Sequence, residues 1–165
     1  MDWAIIVIAL ILIFFLARPM IKGAVFFPTL SENVEQMVEL SEMKSGNKVI
    51  DLGSGDGRIL LAFAKKGIEI HGYEINPLLV LWSRRVIKKA GLEKIAFVHW
   101  ESFWKTDLSF YNTIIVYGIP YIMEKLKEKI QREAKRETII ISNVYSFPEW
   151  KPVSKNKSLY LYKID

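Results

Sequence analysis

The stretch Asp51-Leu52-Gly53-Ser54-Gly55-Asp56-Gly57 holds residue types and spacing that can do chemistry. A short β-rich run, Lys48 to Leu52, leads into it, and an apolar run from Arg58 to Lys66 follows, so the pattern predicts strand, tight glycine turn and helix. Glycines at such a turn let a ligand approach the backbone and face a helix N-terminus. A dinucleotide turn, G-x-G-x-x-G, needs glycine where Arg58 stands. Here the form is G-x-G-x-G with Asp51 two residues ahead, which points away from NAD and FAD. No G-K-[ST] follows, so a lysine-assisted phosphate cradle is absent as well. Downstream, Glu74 closes a second β-rich run, Glu69 to Tyr73, and a carboxylate at that place can accept both hydroxyls of a ribose.

The elements that must position these residues alternate along the chain. The pattern predicts a helix over Glu32 to Met43 capped by Ser31, then the turn just described, and a helix over Pro77 to Lys89 ended by Ala90 and Gly91. Strands are expected at Ile95 to His99 and Thr113 to Tyr117, a charged helix at Tyr121 to Arg136, and strands at Thr138 to Asn143 and Ser158 to Lys163. Strands alternating with helices imply an α/β, doubly wound, mostly parallel sheet, whose ligands bind beyond the carboxyl ends of the strands.

Composition narrows the chemistry further. The chain has 165 residues, one domain's worth, with no cysteine and two histidines. Disulfides, thiolate zinc sites and cysteine nucleophiles are therefore excluded. His71 and His99 sit in β runs without ligand-spaced partners and read as core or edge packing, so no metal is expected. The net charge of +5 suits an anionic surface or acidic partner without demanding nucleic acid. Trp3 to Ala17 is an unbroken apolar run covering about 22 Å as a helix, which Arg18, Met20 and Ile21 can extend toward the bilayer's hydrocarbon thickness. Asp2 precedes the run and Arg18 and Lys22 follow it, the reverse of a cleaved signal peptide. The expectation is an N-terminal hydrophobic helix, residues 1–22, acting as a single-pass membrane anchor with the domain, residues 23–165, on the cytoplasmic or equivalent inner side. A buried core helix is the alternative for this run. Gly23 to Pro28 makes a short tether that would hold the domain against the bilayer.

With the acid before G-x-G-x-G and a second acid at the end of strand two, the chain resembles class I S-adenosylmethionine-dependent methyltransferases. That resemblance implies a Rossmann-like fold and S-adenosyl-L-methionine as cofactor. It puts Asp51 near the methionine amine, Gly53, Ser54 and Gly55 under the cofactor, Glu74 on the ribose and Glu101 near the adenine amine. Phe27-Pro28-Thr29, DLGSGDGRI, GYEINP, FWKTDLSFY and FPEW occur in the order of the FAM173-type protein-lysine methyltransferases, and the likeness covers roughly residues 25 to 152. That family joins a hydrophobic segment to a compact methyltransferase domain. It has mitochondrial members that methylate lysines of membrane proteins, and archaeal relatives. Thr29 joins the cofactor set on this basis. Leu30 stands where the family often has a second proline, and Glu101 where it usually has aspartate.

The resemblance implies a lysine-bearing protein substrate, possibly a membrane protein. Tyr117, Tyr121, Tyr145 and Trp150, with Phe27 and Thr29, are the candidate walls of the acceptor channel, each with core packing as its alternative. Gly118-Ile119-Pro120-Tyr121 lacks the side-chain acceptor that methyltransferases of bases and glutamine carry there, which weakens those readings. The charges of Glu124 to Glu137 alternate as on a solvated helix, so no nucleic acid is expected. A lipid or quinone-like acceptor, or a non-catalytic cofactor-binding scaffold, are the competing readings.

Overall fold

The computed structural model describes residues 3, 5–8, 10, 28–43 and 46–165. Helix α1 spans Ser31–Leu40, α2 Arg58–Lys65, α3 Pro77–Lys89 and α4 Pro120–Glu133. The strands are β1 Lys48–Leu52, β2 Glu69–Glu74, β3 Ala96–Trp100, β4 Thr113–Val116, β5 Ile139–Asn143, β6 Ser154–Asn156 and β7 Leu159–Lys163. They form one seven-stranded sheet in the order β3-β2-β1-β4-β5-β7-β6. The first five strands pair in parallel and β7 runs antiparallel to both β5 and β6. The expected doubly wound, mostly parallel sheet is present.

The sheet separates two apolar layers, because β residues alternate between its faces. Val34 and Met37 of α1, Ile59, Leu60 and Phe63 of α2 and Val80 and Ile87 of α3 cover one face, over Val49 and Ile115. Met123, Leu126 and Ile130 of α4 cover the other, over Ile50, Leu52, Ile114, Ile140 and Tyr162. Pro77 occupies the first position of α3, where an N–H would have no carbonyl to meet, and the Asn76 side chain accepts the Leu78 N–H, which starts the helix sharply.

Several boundaries move from the expected ones. Ser31 is the first helical residue rather than the cap of α1, and Leu30, with no side-chain cap bond, takes that place. α1 also ends at Leu40, three residues early, where Ser41 Oγ turns back onto the Val38 carbonyl. β6 has no counterpart in the sequence pattern: Ser154, Lys155 and Asn156 are all exposed polar residues, and only their pairing with β7 across a turn at Lys157 makes them a strand. α4 is less solvated than its charge pattern implies. Lys127 and Lys129 are buried along their stems; their ammonium groups donate to the carbonyls of Pro148 (2.9 Å) and Thr106 (2.8 Å) and pair with Glu124 and Glu133.

The two histidines do pack at the sheet, but as a pair. His71 Nδ1 lies 3.0 Å from His99 Nε2, their rings stack, and His71 Nε2 meets Glu69 at 3.0 Å. Burial, with the charges of His71 and Arg84, holds His99 below the ordinary histidine range. Among the described residues no group of three His, Cys, Asp or Glu can hold a metal ion. The expected anchor, residues 1–22, lies mostly outside the described residues. Trp3, 5–8 and Leu10 are helical, and Trp3, Ile5, Val7, Ile8 and Leu10 are exposed. No helix among the described residues is long and apolar enough to cross a membrane.

Gly72 in the middle of the sheet shows how closely the site end is packed. A Cβ there would meet Ser54 Cβ at 2.5 Å and Leu60 Cδ2 at 2.8 Å, so the glycine turn rests directly on the β2 backbone. Gly72→Ala is expected to destabilise the domain by about 1–3 kcal/mol, the usual range for overpacking. Urea unfolding followed by circular dichroism would read this as a lower midpoint at unchanged slope.

Candidate active site

The glycine turn sits where β1 ends and α2 begins, at the carboxyl edge of the parallel strands. The Gly53 and Ser54 N–H groups both donate to the Tyr73 carbonyl at 3.0 Å, and the Gly57 N–H closes the turn on the Ser54 carbonyl at 2.9 Å. Gly53 has φ +105°, a conformation that L side chains rarely adopt, and an added Cβ would project into open space with no atom within 4 Å. That open strip of backbone is the cradle in which a ligand can lie.

Glu74, the last residue of β2, is held by three backbone donors. Its Oε2 accepts the Gly55 N–H at 3.0 Å, and its Oε1 accepts those of Ile75 (2.8 Å) and Asn76 (2.7 Å). An ionised carboxylate has about four acceptor positions, so the group keeps capacity for a further donor while its orientation is already set. Asp51 stands beside it on β1, 2% exposed, with Oδ2 buried and unpartnered; Ser54 Oγ is also buried without a partner. Burial first, then the charges of Glu74 and Asp56, pushes the Asp51 carboxyl up to about 8. Leaving a buried polar atom unpaired costs about 1–3 kcal/mol; a cationic ligand lying in the cradle can satisfy Asp51 Oδ2, whereas Ser54 Oγ faces the sheet, 2.6 Å from where a Cβ at Gly72 would stand.

Arg58 completes the turn, a role that its place beside the glycines in the string GDGR suggests only once the fold is in view. Its guanidinium clasps Asp56 through Nε (3.0 and 3.1 Å) and Nη2 (2.7 Å), while Nη1 donates to the Thr29 carbonyl at 2.8 Å. Burial raises Asp56, but the hydrogen bonds from Arg58 outweigh it and hold that carboxyl below its usual range. Thr29 is thereby buried against the glycine turn. A second tie joins α1 to the end of β5: Asn33 Nδ2 donates to Asn143 Oδ1 (3.1 Å) and to Ser158 Oγ (2.9 Å). No local sequence signal marks it, since the residues are far apart in the chain.

Asp51, Gly53, Ser54, Gly55, Glu74 and Thr29 thus gather at one end of the sheet. Glu101 is exposed just past β3, where its charge acts on His99. Of the acceptor candidates, Tyr117 is half-buried immediately after β4 and Tyr121 is 72% exposed in the first turn of α4. Tyr145 follows β5, its carbonyl accepting from Ser142 Oγ at 2.6 Å. Trp150 packs elsewhere: its ring lies 4.8 Å from Tyr162 and 5.4 Å from Phe147, beside the amino-terminal half of β5, to which Tyr162 is paired through Ile140. Phe27 lies outside the described residues. Gly118, where the side-chain acceptor is lacking, has a packing reason to be glycine, because a Cβ would come within 2.5 Å of Met123 Sδ.

A doubly wound sheet of this order, with an acid-led glycine turn facing a carboxylate at the end of β2, defines a class I methyltransferase domain whose cofactor is S-adenosyl-L-methionine. Residues 51–154 match the ANTKMT methyltransferase domain, and the chain belongs to that family. It is 33% identical over 149 residues to a human lysine N-methyltransferase named for a component of ATP synthase, covering 87% of this chain and 64% of that protein. It is 28% identical over 152 residues to a protein-lysine N-methyltransferase of Saccharolobus islandicus, covering 84% of this chain and 92% of the relative. An RNA methyltransferase of Salinibacter ruber, solved with S-adenosyl-L-homocysteine, superposes with a TM-score of 0.80 at 27% identity over 84% of this chain and 94% of that one.

The raised Asp51 carboxyl makes stability depend on pH. Between about pH 4 and about pH 8 the folded protein holds a proton that the unfolded chain has lost, so this group's contribution falls as pH rises through that window. Asp51→Asn is expected to flatten that decline and raise the melting temperature at pH 8 to 9 relative to the unsubstituted protein. The same change should weaken binding of S-adenosylhomocysteine in calorimetry. Parallel melting curves for the two proteins from pH 5 to 9 would overturn the assignment.

Proposed function

We propose that the chain is a protein-lysine N-methyltransferase, held at a membrane by residues 1–22, that acts on a lysine of a membrane-associated protein. The observation that carries the reading is the likeness to lysine methyltransferases over most of the chain, combined with an open glycine turn beside the buried Asp51 carboxyl and the Glu74 carboxylate. The chain spans only 64% of the human relative's length, so the acceptor is inferred rather than inherited.

Bound S-adenosylmethionine supplies an electrophilic methyl on a sulfonium centre. The residues present have the remaining tasks. Asp51 is suited to the ligand's amino-acid end, the open backbone of Gly53 to lying beneath it, and Glu74, already fixed by three N–H groups, to a hydroxyl pair. The attacking amine must be neutral, whereas a free lysine has a pKa of about 10.4. Partial burial between aromatic walls lowers that value, and Tyr117, Tyr121 and Tyr145 offer such walls at the carboxyl ends of β4 and β5. Catalysis on this reading is mainly positioning and desolvation.

The exposed apolar residues Trp3, Ile5, Val7, Ile8 and Leu10, all helical, support the anchor. Anchoring raises the local concentration of substrates at the same surface.

Incubation of the full chain with radiolabelled S-adenosylmethionine and membrane extracts, split into protein, lipid and RNA fractions, tests the reaction. Label is expected in protein, on lysine after hydrolysis, and is expected to fall at least 100-fold with Gly55→Arg or Glu74→Ala. Label confined to lipid or to RNA would overturn the lysine reading. Deletion of residues 1–22 is expected to move the protein out of a carbonate-washed membrane pellet; full retention there would overturn the anchor.

A further inference from the structure

Helix α3 buries Val80, Ser83 and Ile87 against the sheet. Its opposite stripe, at the spacing of one helical face, is Leu78, Leu81, Trp82, Arg85, Lys88 and Lys89. Leu78, Leu81 and Trp82 are 56%, 64% and 59% exposed, and the helix contains no acidic residue. Trp100, 60% exposed, lies against the lead-in to the helix, its indole N–H donating to the Ile75 carbonyl at 3.2 Å. The outer face is thus apolar and aromatic in its first two turns and cationic in its last. Large apolar side chains this exposed gain from any surface that removes them from water.

We infer that this face of α3 is an interfacial contact for an anionic phospholipid bilayer. Leu78, Leu81, Trp82 and Trp100 enter the headgroup boundary, while Arg85, Lys88 and Lys89 meet lipid phosphates. Tryptophan with an apolar body and one polar N–H is the side chain that settles at that depth, and a basic amphipathic helix gains both burial and electrostatic attraction there. The chain geometry agrees. Arg58 at the start of α2 fixes Thr29, so the segment arriving from the N-terminus joins the domain at the carboxyl edge of the sheet, the same edge from which α3 sets out with Leu78. A bilayer touching that edge would face the opening of the cofactor cradle. The inference rests on the membrane location proposed above but not on the acceptor being lysine.

The absence of cysteine from the chain permits a direct test. The full chain with L81C, carrying an environment-sensitive fluorophore, is reconstituted with vesicles of phosphatidylcholine alone or with 30% phosphatidylserine. E128C, labelled on α4 across the sheet, serves as the control. On anionic vesicles the position-81 label is expected to brighten at least threefold and to be quenched by brominated lipid, with loss of the effect in R85E/K88E/K89E and at high salt. The position-128 label should not change. Protein that floats with the vesicles while position 81 stays in water would overturn the surface and leave the anchor standing. Protein that does not float would overturn both. A position-81 label that becomes buried without lipid as protein concentration rises would show a second copy as the occupant, and would also overturn the proposal. Unchanged affinity of each variant for S-adenosylhomocysteine reports that the fold is kept.

Discussion

The Glu74 carboxylate accepts the backbone N–H groups of Gly55, Ile75 and Asn76, and through them it clamps the glycine turn to the end of β2. The Tyr73 carbonyl adds two more bonds, from Gly53 and Ser54, so five N–H groups on two segments converge on two adjacent residues of one strand. The three to the Glu74 carboxylate are charge-assisted and about twice as strong as the neutral pair on the Tyr73 carbonyl. They hold Gly53 in its unusual backbone conformation and keep the cradle open, and the absence of a side chain at Gly72 lets the turn come down onto the sheet.

That arrangement concentrates negative charge. Asp51, Glu74 and Asp56 lie close enough that each of the latter two raises Asp51, and only Asp56 has a guanidinium to neutralise it. The imbalance falls on Asp51, which is buried with its Oδ2 unpartnered, so Asp51 is the group expected to respond most to a cationic ligand. Arg58 meanwhile ties the turn and the start of α2 to the Thr29 carbonyl ahead of α1.

The far side of the sheet is closed by different means. α4 carries a charged sequence, yet Lys127 and Lys129 lie along the core and cap carbonyls of the loops at Pro148 and Thr106. Those loops are thereby fixed without further secondary structure. The aromatic group of Phe147, Trp150 and Tyr162, with the Tyr162 hydroxyl accepting the Phe147 N–H at 3.0 Å, secures the chain between β5 and the terminal hairpin. The match to the ANTKMT methyltransferase domain, residues 51–154, runs from the acid before the glycine turn into β6.

Local pattern determined much of this protein. Short runs rich in β-branched residues over Lys48 to Leu52 and Thr113 to Tyr117, helical periodicity over Pro77 to Lys89 and the glycines of 53 to 57 act within a few residues of one another, so strands, helices and the turn were legible from the chain alone. So was the approach of Asp51 to Glu74 at one end of the sheet, because parallel strands bring their carboxyl ends together. Tertiary structure alone decided the rest. Whether Asp51 Oδ2 has a partner, which rings Trp150 packs against, whether Lys127 points to water or to Pro148, and whether Ser154 to Asn156 pairs as a strand all depend on what residues distant in sequence bring within about 3 to 5 Å. Burial and the hydrogen-bond partners available inside it are properties of that assembly, and no spacing along one chain encodes them.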